Sequence, residues 1–378
     1  MPDNVQSIPM NNLYAWQQVA LMRLMLFVTG RVHQIVGEFN ASARDVILAA
    51  AGADGQLTSA GAYQVQVVVL RSWGDTLKRL TGLIQAGQRE GASLPFGVQA
   101  AYHEKLVVPA FKAPPLREAV VDGVFENQLQ MILDAAALSF GPDGLQFSSR
   151  IWRMDRDTRE GINSTIMQDL ADKKSAWQLA KDLESFLGAG KDCPRWTYAR
   201  LNSVASVDKA KGDLSGLLSN DPVTGSGCGG KGVSYNALRL ARTEIQRAHH
   251  DANDNRMAAM PWIEQERIVL SGSHPEHDIC DDVVAGGEDG KGIYPKGTIK
   301  LPLHPHCFCD KRAVQDLEAF GNQLAGWVQT GQGFAAMDQY AASLGADVKK
   351  SLLNDPVARA FGVWAFDHFE ELAARMAQ

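Results

Sequence analysis

Ser234-Tyr-Asn-Ala-Leu-Arg-Leu-Ala-Arg-Thr-Glu-Ile-Gln-Arg-Ala-His-His-Asp-Ala-Asn-Asp-Asn-Arg-Met-Ala-Ala259 carries apolar residues at Leu238, Ala241, Ile245, Ala248 and Ala252, steps of three and four that form one stripe of a helix. The stripe is narrow, made mostly of small residues, and is expected to be buried. Ser234 is a candidate N-cap, and the spacing predicts a helix over about 235–259. Arg239, Arg242, Gln246, His249 and Asn253 fall together on an adjoining face. Beyond residue 260 the chain changes character. Arg267-Ile-Val-Leu270 reads as a short strand, and the sequence from there to 312 is rich in glycine, histidine, cysteine and aspartate.

The same helical period runs upstream. Met154, Thr158, Ile162, Ile166 and Leu170 recur every fourth position, and Ser175-Ala-Trp-Gln178 has the form of a capping box opening a further helix through Leu179, Leu183, Phe186 and Leu187. Nearer the start, Trp16, Val19, Arg23/Leu24, Phe27 and Val28 mark one or two helices over 12–50, with Gly30 as a candidate break. The run Ala62 to Leu70 has a strand-like composition, but its pattern continues through Trp73, Leu77 and Leu80 over a helical length. The Lys112-Ala-Pro-Pro-Leu-Arg117 segment interrupts helix, and another helix is expected over about 124–138. The glycine-rich stretch around Gly225-Ser-Gly-Cys-Gly-Gly230 reads as a linker. Leu317, Phe320, Leu324, Trp327, then Val357, Phe361, Trp364 and Leu372, mark a helical C-terminal part.

The expectation is a mainly α protein with a small α+β domain in its C-terminal half, built from the long helix, short strands and the His/Cys-rich loop. Its regions are an N-terminal helical part (1–125), a second helical part (126–190), a linker (191–233), the small domain (234–312) and a C-terminal helical part (313–378).

Composition narrows the function. A net charge of −6 and 45% hydrophobic residues argue against wholesale disorder and against coating nucleic acid by bulk charge. Five scattered cysteines do not resemble a secreted disulfide framework and suit a reducing cytoplasm. The apolar stretch Val19–Val28, interrupted by Arg23, is too short and polar for a membrane span or signal peptide. Six of the nine histidines and three of the five cysteines fall between 249 and 309. They make two half-sites, His277-x-x-Cys280 and His304-x-x-Cys307, the second followed by Cys309. Two such knuckles can close a tetrahedral zinc site. His277, Cys280, His304, Cys307 and Cys309 exceed four places, and a structural metal, a metal-free cluster and a catalytic metal all remain open. His274 and His306 are expected outside the ligand set.

Arg242-Thr243-Glu244 on the helix, then Trp262, then the polar loop from Ser271 to Asp282 with Asp278, and finally His304-Pro305-His306-Cys307-Phe308-Cys309, resemble in order the phage head morphogenesis family, the minor head proteins typified by the F protein of phage Mu. The likeness extends upstream through Ser149-Arg150-Ile151-Trp152 and covers roughly 140–312. This chain has Phe308 where the family often has arginine, and His277 where relatives have the first cysteine of a Cys-x-x-Cys. The resemblance implies a non-enzymatic component of the virion, in the head interior or at the portal vertex and in host cytoplasm during assembly. Its implied partners are the portal protein and other head proteins, with packaged DNA as a further contact. It also implies that Arg242 and Glu244 orient the helix against the closing loop; ordinary surface pairing on the helix is the alternative. Three other classes stay open. Asp278, Asp281, Asp282 and the histidines could serve a metal-dependent hydrolase or nuclease. Lys291, Lys296, Lys300, Lys311 and Arg312 form a basic fringe for a DNA-contacting zinc module. Glu264-Gln-Glu266 hints at an ADP-ribosyl transferase, with the serine motif in the wrong order.

Overall fold

The computed structural model describes residues 13–102, 145–188, 232–258, 260–271, 277–305 and 307–314, with isolated positions between 323 and 339. The proline break at 112–117, the helix at 124–138, most of the linker, Cys193, Cys228, His274, His306 and most of the C-terminal part lie outside the described residues. Those described are mostly helical, with six helices and one small antiparallel sheet.

Helix α1 (Leu13–Ala49) is continuous through Gly30. A glycine inside a helix costs about 1 kcal/mol relative to alanine. The buried face that continues past it, from Met25 and Val28 through Val32, Val36, Phe39 and Ile47, outweighs that cost. This face is rotated from the expected stripe, for Phe27 is exposed while Leu21 and Met25 are buried.

Helix α2 (Ser59–Tyr102) absorbs the valine-rich run. Val65 and Val69 are buried while Val67 and Val68 face solvent, a four-residue repeat that a strand would not give. Trp73 is fully buried, meets Phe39 edge-on at 5.5 Å, and donates from its indole nitrogen to Asp155 Oδ1 at 2.9 Å.

Helix α3 (Phe147–Ala171) buries Met154, Thr158, Ile162 and Ile166 as its sequence pattern predicts. Helix α4 (Ala176–Leu187) is capped by Ser175, whose hydroxyl accepts from the Gln178 amide. The Gln178 side chain donates to Asp182 Oδ1 at 3.1 Å. Only half of the expected capping box is therefore present.

Helix α5 (Val233–Ala258) begins two residues before its expected start. Ser234 is not its cap; its hydroxyl lies 2.9 Å from His33 Nδ1. The stripe Leu238, Ala241, Ile245, Ala248 and Ala252 is fully buried. Ile245 fits against Gly87 and Gly91 of α2, where an added Cβ would come within 2.5 and 3.0 Å of its side chain. These two glycines, one helical turn apart, permit the close approach. One hydrophobic cluster runs through α1–α4 and the first half of α5.

The smaller part follows α5. Strand β1 (Gln265–Val269) lies between β2 (Ile293–Pro295) and β3 (Asp310–Val314), antiparallel to both, with Arg267 opposite Ile293 on one side and Arg312 on the other. Trp262 lies in the turn before β1. Helix α6 (Ile279–Ala285) crosses between β1 and β2. Glu266 of β1 is buried and accepts from the amides of Gly297 and Ile299. Lys311 of β3 is also fully buried, 2.7 Å from Asp254 Oδ1 and 3.4 Å from Glu266 Oε1. Its backbone carbonyl accepts from Asn253 at 2.9 Å, which ties the sheet to the end of α5.

Candidate metal centre

Three local structures bring the cysteines together. Asp278 caps α6: its carboxylate accepts from the Cys280 amide at 2.7 Å, and Asp281 reciprocates by accepting from the Asp278 amide at 2.9 Å. This box starts the helix at Ile279 and turns Cys280 inward. The His304-Pro305 segment supplies the second part, a turn closed by the Cys307 amide on the His304 carbonyl at 3.2 Å. Cys309 comes last, immediately before β3.

All three thiols are buried: Cys280 is 0% exposed, Cys307 2% and Cys309 2%. Their sulfurs lie within 4.8 Å of one another, with Cys280 Sγ 3.7 Å from Cys307 Sγ. Leu270, Ile299, Leu301 and Leu303 pack around them. His304 Nε2 is 3.2 Å from Cys280 Sγ and 3.1 Å from Asp278 Oδ2. Asp278, Cys280 and His304 thus form an overlapping group of three donors. Both groups have the donor types and spacing to hold a metal ion.

The cluster is electrostatically uneven. Hydrogen bonds from Cys280 and Cys309, joined by His304, hold Cys307 far below the usual thiol range. The same bond to Cys307, together with burial, pushes Cys280 and Cys309 up. The hydrogen bond with Cys307 also raises His304 to about 9, despite its partial burial. A metal takes cysteine as thiolate and histidine as neutral imidazole, so binding one here would release the protons that Cys280, Cys309 and His304 hold.

The structure does not bring His277 to this cluster. Its side chain is 77% exposed, and its Nε2 stands 3.9 Å from Asp282 Oδ1. The two matching His-x-x-Cys knuckles therefore do not form. Asp278, two residues before Cys280, approaches His304 instead. The Asp278-x-x-Asp281 capping pattern is the sequence signal for this helix start.

Arg242 and Glu244 are buried, and neither makes an ordinary surface pair. The Arg242 guanidinium donates to Thr29 Oγ1 at 3.1 Å and stands 5.8 Å from the centre of the Phe308 ring. Through Phe308 it touches the closing loop. Glu244 points elsewhere. It pairs with Arg150 of α3 and with Arg247, which donates to both of its oxygens at 3.1 Å. Thr243 donates back to the Arg239 carbonyl. The Pro305 carbonyl lies 2.8 Å from His304 Nδ1 and fixes that ring.

Two further buried histidines lie behind the site. His249 meets Gln17 Nε2 at 3.0 Å and the Gly91 carbonyl at 3.1 Å, joining α5 to α1 and α2. Burial lowers the pKa of His250, and the neighbouring His249 lowers it further. It is held neutral beside Cys307 and Cys309. The basic fringe is largely spent on internal pairs: Lys311 is buried, Lys300 meets Asp254, Lys291 meets Asp289, Arg312 meets Asp310, and Lys296 donates to the Met260 carbonyl.

No protein-family model matches the chain, and no match was found among curated proteins or among solved structures.

Proposed function

We propose that the chain is a phage minor head protein, acting in head morphogenesis beside the portal, and that Cys280, Cys307, Cys309 and His304 hold a structural zinc ion. The observation that carries the zinc assignment is the burial of all three thiols around a partly buried imidazole. In a tetrahedron with Zn–S bonds of about 2.3 Å, two sulfurs stand about 3.8 Å apart. The 3.7 Å between Cys280 and Cys307 fits that edge. Three thiolates and one imidazole are a closed donor set. Catalytic zinc instead keeps a position open for water or substrate.

The carboxylates fit this division of labour. Asp281 is engaged in the helix cap, and Asp282 lies on the exposed side with His277. Asp278, the carboxylate at the cluster, is itself engaged, by the Cys280 amide and by His304. A metal would tie α6, the 304–309 loop and β3 together, and so substitute for the core that so short a segment lacks. On this reading the chain is not an enzyme, and its helical body and metal-closed module serve as parts of an assembly.

The head assignment rests on the ordered motif from Arg242-Thr243-Glu244 through Cys309. It is supported by the way Arg242 reaches Phe308 of the closing segment. Peptide mass spectrometry of purified virions from a host carrying this gene tests it. The chain's peptides should be present in intact particles and co-purify with the portal protein. Their absence from particles in which the other head proteins are detected would reject the assignment.

A further inference from the structure

A groove of ≈ 680 Å³ lies between α3, α5 and the 302–305 loop, with His304 on its rim. Its floor is largely aliphatic, with Met154 from α3, Leu240 from α5 and Leu303 from the loop. Arg150, Arg153, Arg239 and Arg247 also line it, against Asp157 and Glu244. Glu244 engages Arg150 and Arg247, while Asp157 pairs with Arg156 outside the groove. Arg153 and Arg239 are left exposed on two different helices. Among the described residues neither has an acidic side chain within ion-pair distance.

We propose that this groove docks an acidic segment of a partner protein, with its carboxylates on Arg153 and Arg239 and an apolar side chain on the Met154–Leu240–Leu303 floor. Arginine forks match carboxylates in paired, charge-assisted hydrogen bonds. An aliphatic floor flanked by cations recognises an apolar anchor set among acidic residues. The volume is that of a pocket for a compact ligand or a few residues of peptide.

Charge and shape favour peptide over nucleic acid. A single-strand site needs aromatic faces on which bases stack. Among the described residues the one Phe, Tyr or Trp lining the groove, Phe186, is wedged against Gly161, where an added Cβ would come within 2.1 Å of the ring. Two exposed arginines also fall short of the row of cations that tracks a phosphate backbone, and the chain carries a net charge of −6. The groove has these features whether or not the chain enters a virion, so the docking proposal stands apart from the head assignment.

Selection of a displayed random dodecapeptide library on the full chain tests it, with the Arg153→Glu/Arg239→Glu double variant as counter-selection. Both side chains are exposed, so the variant should melt with the wild type. Enriched peptides should carry Asp or Glu on either side of Leu, Ile or Phe. A fluorescein-labelled peptide of the enriched sequence should bind the double variant at least about tenfold more weakly, and bind wild type more weakly as salt rises. Should charge reversal disturb the fold, Arg239→Gln alone should still weaken binding about threefold. Three outcomes would overturn the proposal: no enrichment over the counter-selection, a neutral or basic enriched sequence, or arginine-dependent binding of a thymidine oligonucleotide in preference to the peptide.

Discussion

Replacing Glu244 with glutamine removes one negative charge and almost no volume from the middle of α5. The side chain is 1% exposed, and its partners Arg150 and Arg247 are 10% and 6% exposed. With the carboxylate gone, two guanidinium groups face each other across an amide in a site that water barely reaches. Breaking a buried ion pair from one side costs about 3–5 kcal/mol, most of it the penalty of the charge left behind. For a body of roughly 150–250 residues each kcal/mol shifts the melting midpoint by about 2–4 °C, so Glu244→Gln should lower it by roughly 6–20 °C. An internal control is at hand. Glu38 pairs with Arg79 at 2.6 Å, but the two side chains are 46% and 48% exposed. Solvent screens such a pair, and Glu38→Gln should cost less than about 1 kcal/mol. Thermal melts followed by far-ultraviolet circular dichroism, with urea titrations beside them, separate the two. Equal shifts for Glu244→Gln and Glu38→Gln would refute the burial of Glu244 against Arg150 and Arg247.

Two other perturbations probe packing and titration. Gly87→Ala places a methyl group 2.5 Å from Ile245 Cδ1, and overpacking of this kind costs about 1–3 kcal/mol against a helix-propensity gain of about 1 kcal/mol. In an Ile245→Val background, which lacks Cδ1, the same substitution should cost less; a thermal melt showing the same loss in both backgrounds contradicts the contact. Burial, aided by the neighbouring Asp254, raises the pKa of Asp251 from 3.8 to about 6. The folded state therefore holds this proton more tightly than the unfolded chain, and stability falls as pH rises between those values, with the loss complete above them. Asp251→Asn should melt higher than wild type at pH 8 and match it near pH 4, and an unchanged difference at the two pH values would count against a buried carboxylate.

The elements legible in the sequence are those whose signal is local. The four-residue stripe of α3 and the small-residue stripe of α5 reappear as buried faces, because burial of an apolar residue needs only that something cover it. The valine-rich run of α2 is readable as helix once its period is followed as far as Leu80. The polar face of α5 is not readable as core. Arg242, Glu244 and His249 are buried only because Thr29, Arg150, Gln17 and the Gly91 carbonyl come to meet them from other helices. Those partners are 94 to 232 residues away along the chain, and no window of sequence contains them. The metal centre shows the same limit at shorter range. Spacing alone pairs His277 with Cys280, but the cap at Asp278 starts a helix that turns Cys280 inward and leaves His277 outside. Local chemistry holds that information, in the carboxylates at 278 and 281 rather than in the histidine.

Native mass spectrometry of the full chain, purified from zinc-supplemented cells, counts the bound metal directly, with Cys307→Ser and His277→Ala run in parallel. One zinc ion per chain is expected in the wild type and in His277→Ala, because His277 lies outside the donor set. Cys307→Ser should lose the ion and melt lower, since it removes the sulfur that the other donors surround. A wild-type chain that carries no zinc, or a His277→Ala chain that loses it while Cys307→Ser retains it, would rule out a zinc site built from Cys280, Cys307, Cys309 and His304.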